Sequence, residues 1–248
     1  MCLIAVRWRP VSAEPLLLLG NRDEFYERPA APLAWWEGGR LLAGRDLRAG
    51  GTWLGVTRDG RCAAVTNFRQ PGPPRPEAPS RGQLPLRFLE GGLSAAAFLE
   101  ALRGESGRYA PFNLLVYDGE ILLGYQSRNE EVVPLEPGIH VLSNGDFDAP
   151  WPKAEALRRR LAAAPQEDDR ALLALLEDDL PFPDAELPRT GVPLDWERAL
   201  SPVFIRTPAY GTRASTLVRV GPEAVSMEER RFGPDGPEGR VRVSFRKA

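Results

Sequence analysis

The sequence predicts an α+β fold in which two antiparallel sheets carry helices on their outer faces. Three observations predict it. Asp59-Gly60 and Asp118-Gly119 each sit between apolar runs, the strongest short hairpin signal. Strand-like runs dominate the first part of the chain and its end. Capped segments with helical spacing lie between them, so the order runs β-rich, α, β, α, β.

Cys2 to Trp8 is apolar enough for a strand, Arg9 to Glu14 is a polar turn with a proline, and Pro15 to Gly20 is a second strand. Trp53 to Thr57 and Arg61 to Asn67 flank the first Asp-Gly. Asn113 to Tyr117 and Glu120 to Gln126 flank the second. Ile139 to Ser143 follows the Glu136-Pro137-Gly138 turn. Ser80 is a candidate cap for a helix over Arg81 to Leu89, and Ser94 for Ala95 to Leu102. Pro152 suits a first helical position and opens a helix to about Ala164. Asp168 to Glu177 has leucines at helical spacing. Val203 to Arg206, Ser215 to Val220, Val225 to Phe232 and Val241 to Phe245 read as strands. Proline makes the stretches from Gln70 to Pro79 and from Pro181 to Pro193 irregular. Neither reads as a linker, because strands on both sides need partners, so residues 1–248 are expected to form one domain.

Composition excludes several classes. A net charge of −2 draws the molecule toward neither nucleic acid nor an anionic membrane. No apolar run approaches the roughly 20 residues that span a bilayer, so no membrane insertion is expected. The N-terminus lacks the charged start, long apolar stretch and small-residue cleavage site of a signal peptide. Two cysteines make no disulfide framework, so a reducing cytoplasm is expected. One histidine and two distant cysteines make no zinc site, and no phosphate loop is present, so no metal and no cofactor are expected.

Cys2 is the first candidate for chemistry. Removal of Met1 would leave a residue carrying both a thiol and a free α-amine. The amine, with a pKa near ~8, can serve as base for a thiol near ~8.5 without a histidine. That suits a chain whose only histidine is His140. A turn centred near Val11 places residue 2 opposite Gly20 or Asn21, and so delivers Asn21-Arg22-Asp23-Glu24 beside it. An arginine there favours the thiolate, and a carboxylate can hold or orient the ammonium. A two-residue turn at Asp59-Gly60 places Asn67 opposite Thr52, beside Gly50-Gly51 and Trp53. An asparagine at a strand end can offer its amide to a developing oxyanion, and a capped polar strand end is the alternative. Asn144, Thr212 and Arg213 are further polar residues at the edges of apolar strands.

Those residues fall in blocks that resemble a known family. Met1-Cys2-Leu3-Ile4 and Asn21-Arg22-Asp23-Glu24-Phe25-Tyr26-Glu27-Arg28-Pro29 are similar to the opening of NRDE proteins, the transport-and-Golgi-organisation-2-like family. The likeness continues through Ala43-Gly44-Arg45-Asp46, Gly50-Gly51-Thr52-Trp53, Thr66-Asn67-Phe68-Arg69 and Ser80-Arg81-Gly82. It runs on through Phe112-Asn113-Leu114, Leu142-Ser143-Asn144, Trp151-Pro152-Lys153 and Tyr210-Gly211-Thr212-Arg213. A more distant resemblance is to N-terminal-nucleophile amidases of the bile-salt hydrolase and penicillin V acylase type.

The resemblance implies an αββα four-layer sandwich, two antiparallel sheets flanked by helices. It also implies Cys2 as nucleophile, Asn67 and Asn144 on the oxyanion side, Arg22 and Asp23 as a supporting pair, and Arg213 as a late arginine. In those amidases the arginine and aspartate lie two residues further apart, so Asn21 and Glu24 are alternatives for those places. Thr52, Trp53 and Thr212 are expected to bind. The expected activity is hydrolysis of a linear amide by a cysteine N-terminal-nucleophile amidohydrolase. The family's links to membrane traffic, lipid and haem handling imply a second expectation: a carrier for a hydrophobic ligand such as haem or an acyl chain, with Trp35, Trp36 and Trp53 lining its cleft.

Overall fold

The structure is a computed structural model that describes residues 2–70 and 77–248. Residues 71–76, the middle of the expected Gln70–Pro79 loop, lie outside the described residues, as does Met1.

The first hairpin pairs β1 (Cys2–Trp8) with β2 (Leu16–Phe25). Both strands bury nearly every residue on both faces, as a sheet covered on both sides requires. β2 runs five residues past the expected end at Gly20, so the whole Asn21–Glu24 tetrad lies inside a strand. The chain then forms β3 (Ala30–Trp35), β4 (Leu41–Asp46), β5 (Leu54–Thr57) and β6 (Cys62–Asn67). The first two were missed in the sequence: β3 carries Pro32 and a register shift between Ala31 and Ala34, both tolerated because it is an edge strand.

Helices α1 (Gln83–Glu90) and α2 (Ala95–Leu102) follow. Ser94 caps α2 by accepting from the Ala97 N–H at 3.3 Å. Ser80 does not cap α1 directly; its Oγ accepts from the Gly82 N–H, and the helix starts two residues later than expected. β7 (Phe112–Tyr117), β8 (Leu122–Gln126), β9 (Glu131–Pro134) and β10 (Gly138–Leu142) come next, β9 being unexpected. Then come α3 (Pro152–Ala163), with its proline in the first turn, and α4 (Asp169–Ala174), shorter than expected and capped by Asp168. A short α5 (Leu194–Ala199) precedes β11 (Tyr210–Val220), β12 (Ala224–Gly233) and β13 (Gly236–Arg246).

The strands form a six-stranded sheet, ordered β10-β1-β2-β11-β12-β13, and a seven-stranded sheet running β3 to β9 in sequence order. The pairings are antiparallel. Ile4, Val6, Leu16, Leu18, Leu54, Val56 and Leu115 form the core between the sheets. α1 and α2 pack Leu84, Phe88, Phe98 and Leu99 on the outer face of the seven-stranded sheet. α3 and α4 pack Leu157, Leu161, Leu172 and Leu173 on that of the six-stranded sheet, through Leu3, Leu17 and Leu19. The layers therefore run αββα. No described helix is long and apolar enough to cross a membrane.

Val203–Arg206 is not a strand, contrary to expectation; its only bridge joins Arg206 to Gly211. Side chains replace the missing ladder. Asn21 Nδ2 donates to the Val203 carbonyl at 2.9 Å, and the Ile205 N–H donates to Thr212 Oγ1 at 2.9 Å. Asn21 Nδ2 also donates to the Leu176 carbonyl at 2.9 Å, and Ser215 Oγ donates to Asn21 Oδ1 at 2.7 Å. The side chain thus ties β2 to the chain outside the sheet with two buried hydrogen bonds and to β11 with a third.

Asn21→Ala is expected to cost about 2–4 kcal/mol, because two carbonyls and a hydroxyl would be left buried and unpaired. Urea denaturation checks this; a loss below roughly 1 kcal/mol would show that the layer does not depend on the residue.

Candidate functional site

Cys2 opens β1 and is 7% exposed. Its partner across the hairpin is Arg22, not Gly20 or Asn21 as expected. The connection turns one residue later than Val11, where the Ser12 N–H donates to Arg9 and the Arg9 N–H to Pro15, and Arg7 clasps Glu14 at 2.7 Å. The resulting two-residue shift preserves strand alternation, so no side chain changes face. Even-numbered residues of β1 and β2 face the other sheet, with Ile4, Val6, Leu16 and Leu18 in the shared core. Odd-numbered ones face α3 and α4. Cys2, Arg22 and Glu24 therefore share the inter-sheet side, and Asn21 and Asp23 the helix side.

A cleft of about 410 Å³ opens where Cys2 ends the sheet, lined by Cys2, Arg22, Asp23, Glu24, Thr52, Trp53, Asn67, Arg81 and Arg213 among others. Burial pushes the Cys2 thiol up to about 11; Asp23 and Glu24 act in the same direction, and Arg22 opposes them. Arg22 lies 3.5 Å from Asp46 and 3.8 Å from Glu24. Arg28 pairs with the same Asp46 at 2.7 Å. Burial pushes the Asp46 carboxyl upward, but the Arg28 hydrogen bond, the Ala49 N–H and the two arginine charges together hold it below the usual range.

Asp23 is buried at the sheet end. Its Oδ1 accepts from Thr212 Oγ1 at 2.8 Å, and its carbonyl accepts from the Tyr210 hydroxyl at 3.0 Å. Burial raises its pKa, against the pull of Lys153, Thr212 and Arg22. Lys153, buried at the start of α3, donates to the Leu200 carbonyl at 2.9 Å. Burial lowers it to about 8, and the charges of Asp23, Cys2 and Glu197 pull it back up. The sequence reading did not single out Lys153 as a site residue. A signal existed: it is one of two lysines in a chain whose other basic residues, His140 apart, are arginines.

The second hairpin also differs from expectation. Its loop is Arg58–Gly60, with Gly60 at φ +87° and the Thr57 N–H donating to Arg61. Val56 therefore pairs with Cys62, one residue off the expected register. Thr52 lies outside β5 and does not face Asn67 across a ladder. Its N–H donates to Gly82 and its hydroxyl to the Leu54 carbonyl at 3.0 Å. Gly51 abuts Gly82 so closely that an added Cβ would lie 2.6 Å from backbone, which seats the segment leading into α1 against the cleft.

Asn67 still lines the cleft, and its side-chain amide has no hydrogen bond to a described residue. Its carbonyl accepts from Asn144 Nδ2 at 2.8 Å. Asn144 is fully buried and does not line the cleft. Of the three tryptophans, only Trp53 lines the cleft, packed on Gly20. Trp35 packs on Phe245, and the Trp36 indole N–H donates to Ala43.

Arg213 reaches its place through a bulge. Thr212 pairs with Asp23 and Ala214 with Arg22, which leaves Arg213 as the extra residue. Its guanidinium donates to the carbonyls of Phe25, Tyr26, Arg28 and Phe232, holding the turn after β2. Among the described residues no group of three metal-ligating side chains converges.

The four layers, with the cysteine at residue 2 of an inner strand facing a cleft at the sheet ends, define an αββα sandwich. The family model described as Transport and Golgi organisation 2 matches residues 1–234, and the chain belongs to that family. Transport and Golgi organization protein 2 homologs of Bos taurus and Homo sapiens are each 34% identical over 260 residues, covering 93% of this chain and 92% of theirs. The Drosophila melanogaster protein is 28% identical over 241 residues, covering 84% and 82%. Two solved structures are similar in chain path. One is a Caenorhabditis elegans N-acylethanolamine-hydrolyzing acid amidase ortholog, with TM-score 0.49 and 14% identity, covering 87% of this chain and 92% of that one. The other is a C2A mutant of conjugated bile acid hydrolase from Clostridium perfringens, with TM-score 0.46 and 11% identity, covering 100% and 98%.

Lys153 sets a pH dependence. Its folded pKa of about 8 lies below the unfolded value of about 10.4, so between those values the unfolded chain binds more protons and the residue's contribution improves as pH rises. Stability of the native chain minus that of Lys153→Met is expected to rise by roughly 1–3 kcal/mol from pH 8 to 10.5. Denaturant midpoints measured across that range check it, and a flat difference would rule the depressed lysine out.

Proposed function

We propose that the protein is a cysteine N-terminal-nucleophile amidohydrolase acting on a linear amide, with Cys2 as nucleophile once Met1 is removed. The observation that carries the reading is the placement of the Cys2 thiol and the unengaged Asn67 amide in one cleft. A thiol pushed up to about 11 is a poor nucleophile at neutral pH, so it needs a base beside it. The α-amine of a terminal Cys2 is that base.

In the proposed reaction the amine takes the thiol proton, and Sγ attacks the amide carbonyl carbon. The Asn67 amide donates to the oxyanion. The C–N bond breaks, the amine nitrogen leaves with the relayed proton, and a thioester remains. Water then attacks the thioester, giving a carboxylic acid and restoring the thiol. Arg22 biases the thiol toward thiolate. Asp23, held by Thr212, faces the ammonium. Asn144 positions Asn67 through its carbonyl, and Arg213 holds the turn that frames the cleft. Asn21 is an anchor of β2, while Glu24 tethers Arg22 and Arg28. Two free cysteines accord with a reducing, cytoplasmic setting.

A carrier for haem or an acyl chain fits the cleft less well. Eleven of its twenty-five lining residues are charged, whereas sites for apolar ligands are predominantly apolar.

Purified protein is expected to lack Met1 by intact mass, and Cys2 to react with iodoacetamide at neutral pH at least about tenfold faster than Cys62, whose thiol burial raises to about 12. Cys2→Ala is expected to abolish amide turnover while unfolding like the native chain. Retained Met1, or a Cys2 as inert as Cys62, would overturn the mechanism.

A further inference from the structure

We propose that the cleft takes an amide whose own carboxylate sits on the Arg81 guanidinium. This rests on the amidase reading of the same cleft and names its substrate class.

Six arginines line the cleft, and four of them are engaged within the protein by ion pairs, hydrogen bonds or a ring contact. Arg22 and Arg28 share Glu24 and Asp46. Arg213 is bound to four carbonyls. Arg45 lies over the Trp36 ring, 4.5 Å from its centroid. Arg231 has no ion pair or hydrogen bond to a described residue, though its charge helps to hold the buried Glu229 carboxyl down against the effect of burial.

Arg81 differs. Its Nη1 donates to the Pro111 carbonyl at 3.1 Å, and no ion pair joins it to a carboxylate of a described residue. A guanidinium has five N–H donors, so most of its capacity is open. Burial lowers its pKa, and the charges of Cys2 and Glu24 only partly offset that. A partly buried cation without a counterion is costly, and an incoming anion relieves the cost. The adjacent Ser80 Oγ accepts from the Gly82 N–H at 3.3 Å, which leaves its own proton to donate to the same group.

Two features narrow the anion to a carboxylate. The planar fork of arginine matches two carboxylate oxygens. Glu24, Asp46 and Glu229 line the same cleft and would repel a dianion that a single guanidinium cannot neutralise. Arg81 and Cys2 line the same cleft, so one substrate can place its carboxylate on the guanidinium and its amide carbonyl at the thiol.

The test is titration calorimetry of the full chain carrying Cys2→Ala, which removes turnover from the readout. The probes are hexanoylglycine and its neutral amide, hexanoylglycinamide. The carboxylate is expected to bind about tenfold or more tighter, and Arg81→Gln to bring the two within about twofold, with Arg81→Lys retaining part of the preference. Circular dichroism and the unfolding curve of each variant confirm that the fold is kept. Equal affinity in the Cys2→Ala parent, no binding of the carboxylate, or a preference that survives Arg81→Gln overturns the proposal. The amidase reading fails separately, through an inert Cys2 or absent turnover in the native chain, and neither result alters the titration.

Discussion

The pairing of Cys2 with Arg22 across the β1–β2 hairpin is the constraint on which the rest of the site depends. Alternation along paired strands is strict, so fixing one pair fixes the face of every neighbour. With this register, residues 2, 22 and 24 turn toward the inter-sheet cleft while residues 21 and 23 turn toward the helices. A slip of one residue would exchange the two sets. It would bury Arg22 and Glu24 against Leu161 and Leu173, and the hydrophobic faces of β1 and β2 would be wrong for both layers at once. The core on either side therefore holds the polar tetrad in place.

The polar residues on the helix side are integrated into the scaffold. Asn21, Asp23, Thr212 and Ser215 are all buried, and together they satisfy one another and the irregular backbone at Val203 and Ile205. This segment has no ladder of its own, so the side chains serve as its hydrogen-bond partners. The bulge at Arg213 follows from the same junction. Thr212 must meet Asp23 and Ala214 must meet Arg22, and the extra residue between them is turned aside to collect the carbonyls after β2. Two successive demands on one strand are met by inserting one residue.

Burial at the sheet ends shifts the ionisable groups there away from their charged forms. The Cys2 thiol and the Asp23 carboxyl are raised, and Lys153 is lowered. Asp23 and Lys153 are thereby moved toward neutrality, and the Cys2 thiol away from it. Under the proposed function, that poise is what a terminal α-amine would act upon, and the charged lining of the cleft would select a polar substrate. The Asn144–Asn67 contact, with Thr66–Ser143 and Arg69–Asn144 beside it, links the two sheets at this same place, so Asn67 and Cys2 are carried by different sheets tied together there.

Much of this was legible in the chain alone. The Asp-Gly hairpins, the Ser94 cap, Pro152 in the first turn of α3 and the leucine periodicity are local signals, and local geometry made them binding. The likeness of ordered blocks pointed to the family and to the αββα layers. What the chain could not disclose were features set by contacts between distant segments. β3 looks unlike a strand because its edge position tolerates Pro32. Val203–Arg206 looks like a strand, but its Val203 carbonyl accepts from the distant Asn21 side chain and its Ile205 N–H donates to the Thr212 hydroxyl. Both hairpin registers depended on where a loop closes, which Arg7–Glu14 and Gly60 decide. The lowered pKa of Lys153 and the open donors of Arg81 exist only once burial removes water and neighbouring carboxylates are assigned to other partners. The sequence by itself determined which residues alternate and which chemistry they carry; the tertiary structure decided which of them face one another, because desolvation and pairing are properties of neighbours and not of residues.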